Sequence, residues 1–163
     1  VDAAEVPSRF LGVPFSLADC CQFLQNSKSI RLPLKEDKPV SFTAISRLLP
    51  FATGRSPYGL FKVSGGKGIS VKSLVNDSTI FNPVSIFLDE NFSLVSGRQF
   101  WLTDFIESSG FYDRHYRGII EIPEGASYLL LMTTDDLLGS ASSIGEQLIR
   151  HSLQGELVVR LED

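Results

Sequence analysis

The residues between positions 100 and 116 form the most aromatic part of the chain, and their types favour ligand binding. The rings in this segment belong to Phe100, Trp101, Phe105, Phe111, Tyr112, His115 and Tyr116. Tryptophan and tyrosine combine a flat apolar face with a polar edge, which suits sugars and protein surfaces. The phenylalanines are predicted to cover the core. For Trp101, Tyr112 and Tyr116, ligand binding and inward packing both stay open.

The histidines, serines and glycines do not form a catalytic or metal-binding motif. His115 and His151 are 36 positions apart, and neither has a partner at zinc-site spacing. Residues 113–116 are predicted to form a polar surface loop. The G-x-S-x-G motif of nucleophilic serines is absent. Residues 65–68, GGKG, lack the spacing of a phosphate-binding loop and are predicted to form a hairpin turn.

Paired carboxylates are the remaining groups that could perform acid–base chemistry. A glycosidase needs two of them about 5 to 9.5 Å apart across a cleft. Asp89 is better explained as a turn residue ahead of Asn91, and Asp135 or Asp136 as a helix cap. A glycosidase is therefore a remote alternative, as is a calcium site at Asp89. The sequence predicts no catalytic residue, no metal, no cofactor and no enzyme activity.

Cys20 and Cys21 are the only cysteines and are adjacent. Neighbouring Cα atoms lie about 3.8 Å apart, whereas ordinary disulfides span about 4.4 to 6.8 Å. A vicinal disulfide between them would be strained and easily reduced. Two buried thiols, a vicinal disulfide and an intermolecular bridge all stay open.

Short segments of alternating polarity predict that strands position these residues. The predicted strands cover residues 30–34, 40–45, 58–63, 69–75, 84–89, 92–95, 118–123, 127–134 and 156–161. Alternation is strict at 69–75, whereas 127–134 is almost continuously apolar, as in a central strand buried on both faces. Residues 92–95 are predicted to pair back on 84–89 as a hairpin, and residues 54–57, GRSP, to form a turn.

Helices are predicted only near the ends of the chain, at 16–24, after Asp135 or Asp136, and at 143–153. Residues 1–16 are predicted to form an extended arm. The strands do not alternate with helices, which argues against a parallel doubly wound sheet. The sequence therefore predicts one mainly β domain over residues 1–163. Its fold is expected to be an antiparallel β-sandwich or jelly roll with one or two short helices near the ends.

Charge and hydropathy limit the partners. The net charge is −4, from 15 basic and 19 acidic residues, and no Lys/Arg cluster is evident in the sequence. This argues against nucleic acid, which is bound by neutralising phosphates. No apolar run reaches the roughly 20 residues of a membrane-spanning helix. The first residue is Val1 rather than Met, which indicates a removed signal segment or a trimmed chain.

Several blocks occur in the order found in the maltose-operon periplasmic protein family of Gram-negative bacteria, which the chain resembles. They are residues 18–21 (ADCC), 56–63 (SPYGLFKV), 69–75 (ISVKSLV), 81–89 (FNPVSIFLD) and 129–137 (LLLMTTDDL). The resemblance implies a periplasmic location and a part in maltose or maltodextrin uptake. In that compartment a disulfide between Cys20 and Cys21 is more credible. The family supplies no catalytic residue.

Two hypotheses follow. The first is a non-catalytic periplasmic accessory protein that binds maltodextrin, or an outer-membrane or periplasmic transport protein, through Trp101, Tyr112 and Tyr116. The second is a structural module for protein interaction that has no small ligand. A concave aromatic pocket would favour the first, and an uninterrupted apolar surface would favour the second.

Overall fold

A computed structural model gives the architecture of the chain. It describes residues 24–25, 27–43, 48–51, 54–63, 65–76, 79–81, 83–99, 104–107, 114–132, 141–144, 147–152 and 154–163. Within these ranges the regular structure is almost entirely strand, apart from a short helical turn at Leu24 and Gln25. The predicted arm at 1–16, most of the predicted helix at 16–24 and the predicted helix cap at 135–136 lie outside the described residues.

The strands are short and follow one another closely along the chain. They are β1 (Ile30–Arg31), β2 (Asp37–Phe42), β3 (Leu48–Phe51), β4 (Gly54–Pro57), β5 (Gly59–Lys62), β6 (Gly68–Leu74), β7 (Thr79–Ile80), β8 (Val84–Leu88), β9 (Leu94–Gln99), β10 (Asp104–Ile106), β11 (His115–Glu121), β12 (Tyr128–Met132), β13 (Ala141–Ile144), β14 (Gln147–His151) and β15 (Gly155–Glu162).

Two five-stranded sheets carry the fold. The first sheet has the order β1-β5-β12-β8-β9 and is antiparallel except for the β1–β5 pair. The second sheet has the order β10-β11-β6-β15-β2 and is antiparallel throughout. Strands β13, β14 and β7 form a smaller sheet, and β3 pairs with β4. The predicted mainly β, antiparallel sandwich is confirmed.

The main core lies between these two sheets. Phe61, Phe87 and Leu129 of the first sheet pack in one cluster with Val71 and Val159 of the second. In β6 the buried side chains alternate with half-buried ones, which confirms the predicted alternation at 69–75. One face of each sheet therefore enters the core because side chains on a strand alternate between faces.

Strand β12 is buried on both faces of the first sheet. It lies in the middle of that sheet, and its last four residues, from Leu129 to Met132, are each 0% exposed. Leu129 and Leu131 face the core between the sheets, whereas Leu130 and Met132 point to the opposite side. The prediction of a central strand at 127–134 is therefore confirmed. The hairpin of β8 and β9 is confirmed as well.

The glycines at 65–68 connect the two sheets, so the prediction of a hairpin there is wrong. β5 belongs to the first sheet and β6 to the second, and the two strands do not pair. Gly65 has a φ of 89°, where a side chain would be strained. A Cβ on Gly66 would collide with the side chain of Leu161. These glycines therefore allow the chain to turn sharply past the end of β15 as it passes from the first sheet to the second.

Two local predictions are wrong because tertiary pairing outweighs the local pattern. The predicted helix at 143–153 is instead the antiparallel pair β13–β14, and β14 adds in parallel to β7. This arrangement buries Ile149 against Ile80, which a short isolated helix could not do. Residues 54–57 form strand β4 rather than a turn, because they pair with β3.

Candidate functional site

Tyr116 is the one sequence-predicted ligand-binding residue that falls within the described ranges. It lies on β11, is 9% exposed, and belongs to a hydrophobic cluster with Ile80 and Ile149. Its ring centroid is 5.3 Å from that of Phe105, with the planes tilted by 59°. Burial raises the pKa of the Tyr116 phenol above its ordinary value. The structure thus gives this ring a packing role.

The other predicted site residues, Trp101, Tyr112, Cys20 and Cys21, lie outside the described residues. The ligand-binding role of the aromatic residues and the disulfide between the cysteines stay predictions. The predicted surface loop at 113–116 is wrong for its last two positions. His115 and Tyr116 begin strand β11, and His115 is only 2% exposed, because β11 is flanked there by β10 and β6.

Asp89 shapes the turn between β8 and β9. Its Oδ1 accepts hydrogen bonds from the backbone N–H groups of Asn91, at 2.8 Å, and Ser93, at 2.9 Å. Phe92 adopts a φ of 61° in this turn, and its ring stacks on Tyr128 at 4.4 Å. The predicted turn role of Asp89 is confirmed. In the described part of the chain, no three potential metal-ligating side chains come together.

A polar hollow lies where β2 ends and β15 begins. Its volume is about 260 Å³. Its lining consists of Ser41, Phe42, Thr43, Asn76, Thr79, Ser152, Gln154, Gly155 and Glu156. The hydroxyl of Thr79 donates to the Asn76 carbonyl at 2.9 Å, which fixes one wall. Hydroxyl and amide groups therefore dominate the surface of this hollow.

An apolar groove lies next to the polar hollow at the same strand end. Its volume is about 310 Å³. Its lining consists of Lys28, Ile30, Val40, Ser41, Phe42, Tyr58, Gly59 and Leu60. The Tyr58 hydroxyl is 3.3 Å from the Ser27 hydroxyl, which places the phenol at the polar edge of the groove. Ile30 is 37% exposed and adds apolar surface.

The polar hollow and the apolar groove share Ser41 and Phe42, so they adjoin at the end of β2. We call the two together the β2 cleft. The ring of Phe42 is buried and stacks on Phe81 at 4.4 Å beneath the cleft. The cleft offers a ring and aliphatic surface beside hydroxyl, amide and carboxylate groups. Such a lining can hold a ligand with both C–H faces and hydroxyl groups.

Sequence reasoning did not find the residues of the β2 cleft as a site. Tyr58 precedes a strand, and Asn76 and Gln154 stand in breaks between strands, so each had an ordinary structural explanation. They become neighbours only through the pairing of β15 with β2 and β6. The only sequence signal for this site was the presence of polar residues at the ends of strands. Such residues occur at many turns, so they do not identify a binding site.

The comparisons with known proteins assign no family. No protein-family description matches the chain. No curated protein matches it either. A solved structure that resembles it is the pre-peptidase C-terminal domain of collagenase from Bacillus anthracis, with a TM-score of 0.36 and 10% identity over 83% of this chain and 96% of that chain. A similarity this weak assigns neither a function nor a ligand.

Proposed function

We propose that this chain is a non-catalytic accessory protein of maltose or maltodextrin uptake in the periplasm, and that it binds the oligosaccharide in the β2 cleft. The observation that supports this binding site is that the apolar groove and the polar hollow meet at Ser41 and Phe42. The sugar class and the compartment rest on the resemblance of the sequence blocks described above.

An α-linked glucose chain has the two kinds of surface that the β2 cleft can contact. The C–H face of one glucose unit would lie on Tyr58 and Ile30, because aromatic and aliphatic surface replaces water there at little cost. The hydroxyl groups of the next unit would reach Asn76 and Gln154, whose amides can both donate and accept. These two side chains line the hollow within the same cleft.

Amide NMR during titration with maltose and longer maltodextrins, up to maltoheptaose, tests this proposal. We expect shifts that concentrate at Ser41, Asn76 and Gln154 and that grow stronger with chain length, because a longer sugar spans both parts of the cleft. Gln154→Ala and Asn76→Ala should weaken binding several-fold. Asn91→Ala removes a matched exposed amide from the β8–β9 turn and should leave binding unchanged.

The fluorescence of Trp101, the single tryptophan, separates the two candidate binding regions. If sugar changes this fluorescence while the amides of the β2 cleft stay unchanged, the aromatic segment binds the sugar and the assignment to the cleft is wrong. If millimolar maltoheptaose moves neither signal, direct sugar binding is wrong. Co-purification with a maltose porin or periplasmic binding protein would then indicate that the chain assists uptake by binding a transport protein instead of the sugar.

A further inference from the structure

The outward face of the second sheet brings together three cations that are far apart in sequence. Lys72 lies on β6, Arg117 on β11 and Arg160 on β15. Arg117 pairs directly with Lys72, and Ser70 pairs with both Arg160 and Ile119. The sequence alone indicated no Lys/Arg cluster; sheet pairing creates one. We call the surface between these three strands the basic groove.

The basic groove is positive in a protein that is negative overall. It has a volume of about 490 Å³. Its lining consists of Ser70, Val71, Lys72, Arg117, Gly118, Ile119, Arg160 and Glu162. Three cations thus face one carboxylate, whereas the whole chain has a net charge of −4. The groove shares no lining residue with the β2 cleft.

The pairing of Lys72 with Arg117 is unfavourable by itself. Like charges directly opposite each other on neighbouring strands are destabilising, and these two are in register. Both residues already have an interaction partner, so an added anion would join existing contacts. An anion placed between them would attract both cations, which is a gain that a neutral ligand cannot supply.

Carboxylates hold Arg160 in place. Its Nε lies 3.1 Å from Glu162 Oε1 and its Nη1 lies 3.8 Å from Asp37 Oδ1. Glu162 Oε1 also accepts a hydrogen bond from the Ser70 hydroxyl at 3.1 Å. The contact of Nε with Glu162 is not aligned as a hydrogen bond, so this buried donor lacks an acceptor among the described residues. The two carboxylates thus orient the guanidinium, and its remaining N–H groups are the ones that a ligand in the groove would contact.

Acidic residues also limit the length of an anionic ligand. Asp37 stands on edge strand β2 beside Arg160. Glu121 closes one end of β11, in register with Gly68. An extended polyanion such as nucleic acid would meet these carboxylates on leaving the groove. A compact anion would meet only the central cations.

We propose that the basic groove binds a phosphate monoester group of a small molecule. Such a group has about −1.5 to −2 charges at pH 7 and three acceptor oxygens, and the lining of the groove supplies three cationic side chains. Arginine recognises phosphate through parallel N–H donors, and lysine adds a point charge. Ile119, which is 74% exposed beside the groove, would contact the carbon part of the ligand.

Amide NMR at low ionic strength tests this proposal with inorganic phosphate, glucose phosphate, phosphoserine and uncharged glucose. We expect saturable shifts on β6, β11 and β15 with the phosphorylated probes and none there with glucose. Stronger binding of glucose phosphate than of phosphoserine would identify a sugar phosphate as the source, and the reverse would identify a phosphorylated side chain. Phosphate esters should bind more tightly than inorganic phosphate because of Ile119.

Substitutions separate a specific site from general attraction. Lys72→Gln and Arg117→Gln should each weaken binding about tenfold, as expected for the loss of a charged hydrogen-bond donor. Lys62→Gln removes the same charge from an exposed position on β5 in the first sheet and should have no effect. Equal losses in Lys62→Gln and Lys72→Gln would overturn the proposal. Tighter binding of heparin than of any monoester would overturn it as well, because heparin is an extended polyanion.

Discussion

The buried hydroxyl of Ser73 lies 2.6 Å from the backbone carbonyl oxygen of Phe81 and donates a hydrogen bond to it. Ser73 is 0% exposed and stands on the core-facing side of β6, between apolar neighbours. Phe81 follows β7, and its ring stacks on Phe42 of β2. This bond explains a polar residue at a core position, because it joins β6 to the segment that supports the floor of the β2 cleft.

Ser73→Ala should lower the free energy of unfolding by about 1 to 3 kcal/mol, because it removes the buried partner of the Phe81 carbonyl. Urea denaturation followed by circular dichroism measures the change. Ser41→Ala, at an exposed position on β2, is the matched control and should stay within about 0.5 kcal/mol of the wild type. Equal effects of the two substitutions would show that the Ser73 bond contributes nothing.

Asp89→Ala should destabilise the β8–β9 hairpin, because two backbone N–H groups would lose their shared acceptor. We expect a loss of about 1 to 2 kcal/mol in the free energy of unfolding, as for other side-chain caps of backbone donors. Asp89→Asn keeps an acceptor oxygen and should retain most of the stability. If Asp89→Asn and Asp89→Ala were equally unstable, the charge of Asp89 rather than its hydrogen bonds would be responsible.

The raised pKa of Tyr116 predicts that the folded protein loses stability in strong alkali. Burial raises the pKa of its phenol in the folded state above the ordinary value of 10.0. Above about pH 10 an unfolded chain releases this proton while the folded chain retains it, so stability is complete below that pH and falls as the pH rises through the folded pKa. Urea denaturation on both sides of pH 10 should show a smaller decline for Tyr116→Phe than for the wild type. Parallel declines would contradict a contribution from this phenol.

The state of Cys20 and Cys21 has a direct chemical test. If they form a vicinal disulfide, denatured protein without reductant should contain no reactive thiol, and denatured protein with reductant should contain both. An intermolecular bridge through one cysteine of each chain would leave one reactive thiol per chain and one through both would leave none, and either would run as a dimer on a non-reducing gel. Two reactive thiols before reduction would rule out both bridges.

The strands that could be predicted from the sequence are those whose pattern of polar and apolar residues follows directly from which of their faces are buried. Residues 69–75 alternate because one face of β6 enters the core, and 127–134 are apolar because β12 is covered on both faces. Such patterns follow from burial and need no knowledge of the neighbouring strands. The central position of β12 could be predicted for that reason.

The failures occurred where a distant partner decided the local structure. Residues 143–153 have an apolar spacing that suits a helix, at Ile144, Leu148 and Leu153, but the pairing of β14 with β7 and β13 makes residues 147–151 a strand. Residues 54–57 contain the glycine and proline of a turn, yet they pair with β3. Contacts of this kind depend on the whole topology, and local propensity does not encode them.

The candidate sites could not be predicted for the same reason. Lys72, Arg117 and Arg160 are isolated cations in the sequence and meet only because β6 lies between β11 and β15. Tyr58 and Gln154 come to the two sides of the β2 end from segments nearly a hundred residues apart. A sequence pattern records the face of a strand but not its neighbours across the sheet.

The position of β15 has a consequence for the timing of folding. This strand comes long after β2 and β6 in the sequence, yet it lies inside the second sheet between them, and its Leu157 and Val159 are part of the core. The second sheet therefore cannot close until residues 155–162 have paired with β2 and β6. Until then β2 and β6 have no bridge between them and their apolar faces stay uncovered. Closure of the second sheet thus depends on pairing between segments far apart in the sequence, which is slow and leaves apolar surface exposed to aggregation until it is complete.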